Sequence, residues 1–141
     1  MKKSKFRFVS MLLVCAILLS SVAFGAQLRA SDQIRSYSVN VVPSTGSRLA
    51  IEISIAGTKS MQLIGGKTIT IYEKRGTSWV YVSGIAQNAS GMTTSNSFIH
   101  NGTVYYNATA GKEYMVTVTL FARDSSGNED SRTLTYTAVA K

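Results

Sequence analysis

The 141-residue sequence predicts an all-β protein: an N-terminal signal peptide helix and then a single two-sheet antiparallel β-sandwich of about seven strands. Two observations support this class. Apolar and polar side chains alternate with a period of two in successive short stretches, as in half-buried strands. After residue 26 there is one proline and no stretch with a convincing helical period. Because an isolated sheet would leave one apolar face in water, we expect two sheets that pack face to face.

Residues 1–26 are predicted to be a secretory signal peptide. Their basic start contains no acidic residue and consists of Lys2, Lys3, Lys5 and Arg7. The apolar run Phe8–Leu19 follows, and small residues then favour cleavage after Gly25 or, less well, after Ala26. A retained membrane anchor is the weaker alternative, because this run is shorter than the roughly 20 residues that span a bilayer.

Cleavage would leave residues 27–141 as one domain without cysteine, since the only cysteine, Cys15, lies in the signal peptide. This excludes disulfides, thiol catalysis and cysteine–zinc sites. The net charge falls from +8 to +4, because four of the 15 basic residues leave while all 7 acidic residues stay. The remaining basic residues are scattered, which argues against nucleic-acid binding. We expect membrane contact only through the signal peptide before cleavage.

The first four predicted strands lie between residues 34 and 85. They are the stretches IRSYSVNVV, RLAIEISIAG, KTITIYE and SWVYVSGI. In the second stretch, Ile51, Ile53 and Ile55 face one way, while Glu52 and Ser54 face the other. The turns between strands are predicted at PSTGS and at EKRGTS, whose glycine suits the positive φ of a hairpin.

The polar stretch 83–102 is predicted to cross from one sheet to the other, partly as an irregular strand, anchored by Ile85, Met92 and Phe98. His100, the only histidine, is predicted to be a polar loop residue within it. The strands TVYYNA, EYMVTVTLFA and SRTLTYTAVA follow, and the turn DSSGN joins the last two.

The segment TAGKEYMVTVTLFA, residues 109–122, resembles the penultimate strand of fibronectin type III and related immunoglobulin-like domains. There a tyrosine follows a glycine-containing turn and begins an alternating valine run. The resemblance implies that Tyr114 is a tyrosine-corner residue whose hydroxyl bonds to the backbone just upstream. The chain departs from the pattern of these domains because it lacks their early-strand tryptophan.

A wider resemblance covers most of the domain. The segments RASDQIRSY, MQLIGGKTITIYEKRGTSW and NGTVYYNATAGKEYMVTVTLFA are similar to those of a group of small secreted proteins from clostridium-type Gram-positive bacteria, the Firmicutes. The function of that group is uncharacterised. The resemblance therefore implies bacterial origin and secretion, and no activity.

Catalytic motifs are missing from the sequence. It has a single histidine, no Gly-x-Ser-x-Gly elbow, no P-loop, no dinucleotide fingerprint and no paired carboxyl groups. We therefore predict a protein that is not an enzyme and has no catalytic residue, cofactor or metal. The loop DSSGNEDS gathers Asp124, Asn128 and Asp130, whose oxygens suit calcium. The same residues favour a hairpin turn, and we take the loop as a candidate partner-contact loop.

The best candidate ligand contacts are Trp79 and Tyr81, which share one face of their strand. We predict that Val80 and Val82 face the core, so that the two aromatic rings are exposed and can stack on sugar rings. The sequence thus predicts a secreted or cell-wall-associated module for binding or adhesion to cell-surface glycan or protein. Two alternatives stay open, a structural surface protein that self-associates through edge strands and a protease inhibitor that presents loops.

Overall fold

A computed structural model describes residues 31–141, and the predicted signal peptide lies outside them. The described residues form six strands and no helix, which confirms the all-β class. The strands are β1 (Ile34–Ser44), β2 (Arg48–Arg75), β3 (Ser78–Ala86), β4 (Thr93–Asn107), β5 (Glu113–Arg123) and β6 (Glu129–Val139). Residues 31–141 thus include no helix of the length and hydropathy that crossing a membrane would require.

The six strands form one antiparallel sheet that curls like half a barrel, and β2 is its central strand. The first half of β2, residues 48–57, pairs with β1 on one side and with β4 on the other. The second half, up to Arg75, pairs with β3 and β5. Strand β6 pairs with β5.

The prediction of about seven strands is corrected to six, because the predicted second and third strands are one continuous strand, β2, of 28 residues. Met61 and Ile64 lie in the middle of β2 and are fully buried. Their backbone pairs with the first residues of β4, which keeps the chain extended. A register shift between Ala56 and Met61 marks the irregular point between the two halves.

The stretch between β3 and β4 fits closely against β2. Gly66 donates its backbone N–H to the carbonyl of Met92 at 2.7 Å. A Cβ atom on Gly65 would lie 2.1 Å from the same oxygen, so only glycine allows this approach. Met92 is fully buried, as predicted, whereas Phe98 is 63% exposed and does not anchor the segment. Phe98 lies where β4 changes its pairing along β2, between partners Met61 and Ala56.

The core is formed by the inward side chains of both halves of β2 together with those of β1, β4 and β5. Its largest fully buried members are Tyr114, Leu49, Ile51, Ile55, Met61, Ile64, Ile69, Ile71, Met92, Leu120 and Val116. The hydroxyl of Tyr114 accepts a hydrogen bond from the backbone N–H of Thr109 at 2.8 Å. It donates to the Glu73 carboxylate at 3.2 Å. The upstream bond that the resemblance implied for Tyr114 is therefore present.

The prediction of His100 as a loop residue is wrong. His100 belongs to β4 and is only 3% exposed, on the inward face opposite Ile55. Its Nε2–H donates to the carbonyl of Gly91 at 3.0 Å, and Nδ1 accepts from the Thr94 hydroxyl at 2.9 Å. Burial lowers the pKa of His100, and the bond to the Gly91 carbonyl opposes this effect in part. The histidine is thus a buried, neutral structural residue.

Candidate functional site

A β-bulge sets the direction of the aromatic side chains on β3. Tyr81 pairs with Tyr72 and Ser83 pairs with Ile71, so Val82 is an extra residue in the ladder. The bulge lets Val82 and Ile85 both pack against the core while Tyr81 points outward. Of the two valines predicted to face the core, Val82 packs against it and Val80 is not among the side chains that do, while Tyr81 points outward as predicted.

Tyr81 is the more accessible of the two predicted ligand-contact residues, with 60% of its surface exposed. Its side chain extends along its own strand, since a Cβ atom on Gly84 would lie 2.9 Å from the Tyr81 hydroxyl oxygen. The ring meets Tyr72 edge to face, with centroids 6.1 Å apart. Tyr81 therefore forms one wall of a shallow depression of about 260 Å³ on the outer face of the sheet.

Trp79 is half-buried, which corrects the prediction that both aromatic rings are exposed. Lys74 lies directly across the ladder from Trp79, and its ammonium stands 5.6 Å from the centroid of the indole ring. The same ammonium donates to Glu113 at 2.9 Å. A cation held over the ring in this way covers part of the indole surface, so Tyr81 is the better ligand contact.

Rows of threonine continue the outer face beyond Tyr81. Thr70 pairs with Thr117, and Thr117 pairs with Thr135 on β6. The hydroxyls of Thr117 and Thr135 are hydrogen-bonded at 3.0 Å. A second row contains Thr68, Thr119 and Thr133, with the last two hydroxyls also 3.0 Å apart. The depression beside Tyr81 thus borders a surface of hydroxyl groups.

Sequence reasoning did not single out these threonines or Gly84 as site residues. The signal was present in the three segments TIT, TVT and TLT, which place threonines on the same face of their strands. Their common position became recognisable only once the register of β2, β5 and β6 was known.

The candidate partner-contact loop is hydrogen-bonded to other parts of the domain at both ends. Asp124 is buried and accepts hydrogen bonds from the Lys59 ammonium and from two backbone N–H groups of the turn, each at 3.0 Å. The bond from Lys59 is the main reason why the pKa of Asp124 is lowered to about 2. Asn128 adds a side-chain bond to the same carboxylate at 3.2 Å. The carboxylate is therefore used in closing the loop.

Asp130 has a comparable role at the start of β6. Its carboxylate accepts from the Ser31 hydroxyl at 2.7 Å and from the backbone N–H of Gln33 at 2.9 Å. These bonds, that of Ser31 first, lower the pKa of Asp130. Asp124 and Asp130 thus bind different partners rather than converge. Throughout residues 31–141, no three His, Cys, Asp or Glu side chains are grouped as a metal site would need.

Comparison with models of known protein families and with curated proteins finds no match to the chain. The function has to be argued from the surface itself. Among the exposed rings of the described residues, Tyr81 lies beside rows of hydroxyl groups.

Proposed function

We propose that the protein is a secreted, non-enzymatic recognition module that binds a carbohydrate chain of a cell surface through Tyr81 and the neighbouring threonine rows. The observation that supports this most is the exposure of the Tyr81 ring along β3 beside Thr68 and Thr70. Sugar rings present C–H groups that pack on an aromatic ring, and their hydroxyls exchange hydrogen bonds with protein hydroxyls. The surface offers both kinds of contact at one place.

The proposed architecture behind this surface is a two-layer sandwich of the fibronectin type III kind. Two observations support it. The first half of β2 is flanked by β1 and β4, and the second half by β3 and β5 with β6 beyond, as two layers of three and four strands would require. The bond between the Tyr114 hydroxyl and the Thr109 N–H has the form of a tyrosine corner.

Secretion is supported by the basic and apolar pattern of residues 1–26 and by the resemblance to secreted clostridium-type proteins. A chain without cysteine after residue 26 needs no disulfide to fold in that environment. The mild positive charge of the domain favours retention near anionic wall polymers, which would add to binding rather than determine its specificity.

The test is a binding assay on insoluble cell-wall polysaccharide, with wild-type protein and two variants. Tyr81→Ala should lose about 1–1.5 kcal/mol of binding free energy, because the stacking surface is removed, and this corresponds to about tenfold in Kd. Tyr136→Ala is the matched control, since it removes another exposed tyrosine from a different strand. If Tyr81→Ala and Tyr136→Ala bind like wild type, or if wild type binds no wall fraction, the proposal is wrong.

A further inference from the structure

A polar groove lies on the outward face of β1, the first half of β2 and β4. Its volume is about 380 Å³. Two rows of side chains cross it at right angles to the strands. One row is Asn40, Glu52 and Thr103, and the other is Ser38, Ser54 and Asn101. Neighbouring strands are about 4.8 Å apart, so the six side chains lie together within the area that one or two sugar rings would cover.

Two hydrogen bonds inside the groove orient its main polar groups. Asn40 Nδ2 donates to Glu52 Oε2 at 3.1 Å, and Ser54 Oγ donates to Asn101 Oδ1 at 2.7 Å. Within residues 31–141, the second carboxylate oxygen of Glu52 and the Asn101 amide N–H groups have no side-chain partner among the hydrogen bonds of the structure. A strong acceptor and a neutral donor are thus presented on adjacent strands.

An aromatic ring borders this polar cluster. Tyr105 follows Thr103 on the outward face of β4, opposite the small side chain of Ala50, and is 54% exposed. The Arg48 guanidinium stands 4.9 Å from the centroid of its ring, and Arg48 is itself bonded to the Thr45 carbonyl at 3.1 Å. The guanidinium thus covers one face of the ring and fixes it beyond the Thr103 end of the groove, on the same strand as Asn101.

We propose that this groove is a second saccharide site, which takes a neutral pyranose chain. Glu52 accepts a hydrogen bond from one sugar hydroxyl and Asn101 donates to a neighbouring one. Tyr105, beyond the Thr103 end of the groove, packs against the next ring of the chain. Glu52 is the only charged residue among those that line the groove, and the Arg48 cation lies outside this lining against Tyr105, so a carboxylate or phosphate group placed beside Glu52 would be repelled. An adjacent donor and acceptor match a pair of neighbouring sugar hydroxyls, each of which can donate and accept.

The groove and the Tyr81 surface belong to different halves of β2, and both point away from the shared core. One chain can therefore hold two glycan strands and bridge them. This inference shares its ligand class with the proposed function but rests on different residues, so each can fail separately.

The experiment is an NMR titration of the purified protein that follows backbone and side-chain amide signals. The probes are the β-1,4-linked tetramers of glucose and of N-acetylglucosamine, with tetragalacturonate as the anionic comparison. At about 10 mM probe, a site with a Kd of about 1 mM is mostly filled. We expect the neutral tetramers to shift the side-chain amides of Asn40 and Asn101, and tetragalacturonate to leave them unchanged.

Two groove variants, Glu52→Gln and Asn101→Ala, should each raise the Kd for the neutral tetramers at least tenfold. Asn107→Ala is the control, because it changes the same strand outside the groove. Shifts at Thr68 and Thr70 should persist in all three variants. On beads coated with the neutral glycan, wild type should cause aggregation, whereas Glu52→Gln and Tyr81→Ala should bind without aggregating the beads.

The outcomes separate the two proposals. If the groove amide signals do not shift while those beside Tyr81 do, the second site is overturned and the proposed function is left. If the groove amides respond and the Tyr81 surface does not, the proposed function is overturned and the second site is left. A groove that responds to tetragalacturonate alone overturns the assignment to a neutral pyranose, and silence at both surfaces overturns both proposals.

Discussion

Replacing Tyr114 by phenylalanine removes one oxygen atom from the core and keeps the ring. The ring contact with Tyr106, at 5.7 Å between centroids, is retained. Two hydrogen bonds are lost, one from the Thr109 N–H and one to Glu73. Since Glu73 keeps its bond from Arg75, the main cost is the unpaired backbone N–H. We expect the free energy of unfolding to fall by about 1–2 kcal/mol.

Urea denaturation of both proteins measures this difference directly, and a thermal melt should show a Tm lower by roughly 4–8 °C. The control is Tyr136→Phe on β6. Tyr136 is 37% exposed, and the hydrogen bonds described for residues 31–141 do not include its hydroxyl. That variant should change the unfolding free energy by less than about 0.5 kcal/mol. Equal stability of the two variants would show that the corner bond has no role in holding the turn before β5.

Three further predictions concern buried polar groups and one close contact. Because burial lowers the pKa of His100, the unfolded chain takes up a proton more readily than the folded protein as pH falls below 6.5, the ordinary pKa of histidine, so stability should fall. His100→Gln should remove this slope in urea titrations from pH 7.5 to 5.5. Asp124 has a folded pKa of about 2 against an ordinary 3.8, so its stabilisation is present above pH 3.8 and is lost as pH falls towards 2. Asp124→Asn should flatten that acid limb of the stability curve. Gly102→Ala places a Cβ atom 2.1 Å from the Gly91 carbonyl oxygen and should cost about 1–3 kcal/mol in chemical denaturation, unlike the exposed Ser95→Ala.

Alternation along the chain was sufficient to predict which side of the first half of β2 faces the core. Ile51, Ile53 and Ile55 are all buried as predicted, because a period of two is a local property of extended backbone. The continuity of β2 was missed, since residues 58–66 have no regular alternation. Their extension depends on pairing with residues 93–97, which no local pattern contains.

The candidate sites show the same limit. The outward direction of Tyr81 followed from its valine neighbours, but the cover over Trp79 comes from Lys74 across the ladder. The sequence predicted Glu52 only to face away from the core, with no paired carboxyl group. Its neighbours Asn40 and Thr103 come from β1 and β4, so the groove is a product of register rather than of any single segment.

The length of β2 has a consequence for how the protein resists proteolysis. Four of the five other strands take their backbone partners from this one strand, and β6 depends on it through β5. A protease that cuts β2 would remove partners from both ends of the molecule at once, so we expect no stable fragment to survive such a cut. Opening should accordingly be all-or-none, with amide hydrogens in both halves of β2 exchanging at a common slow rate. Because β2 joins the two surfaces, we expect both to unfold together and both to be lost when β2 is cut.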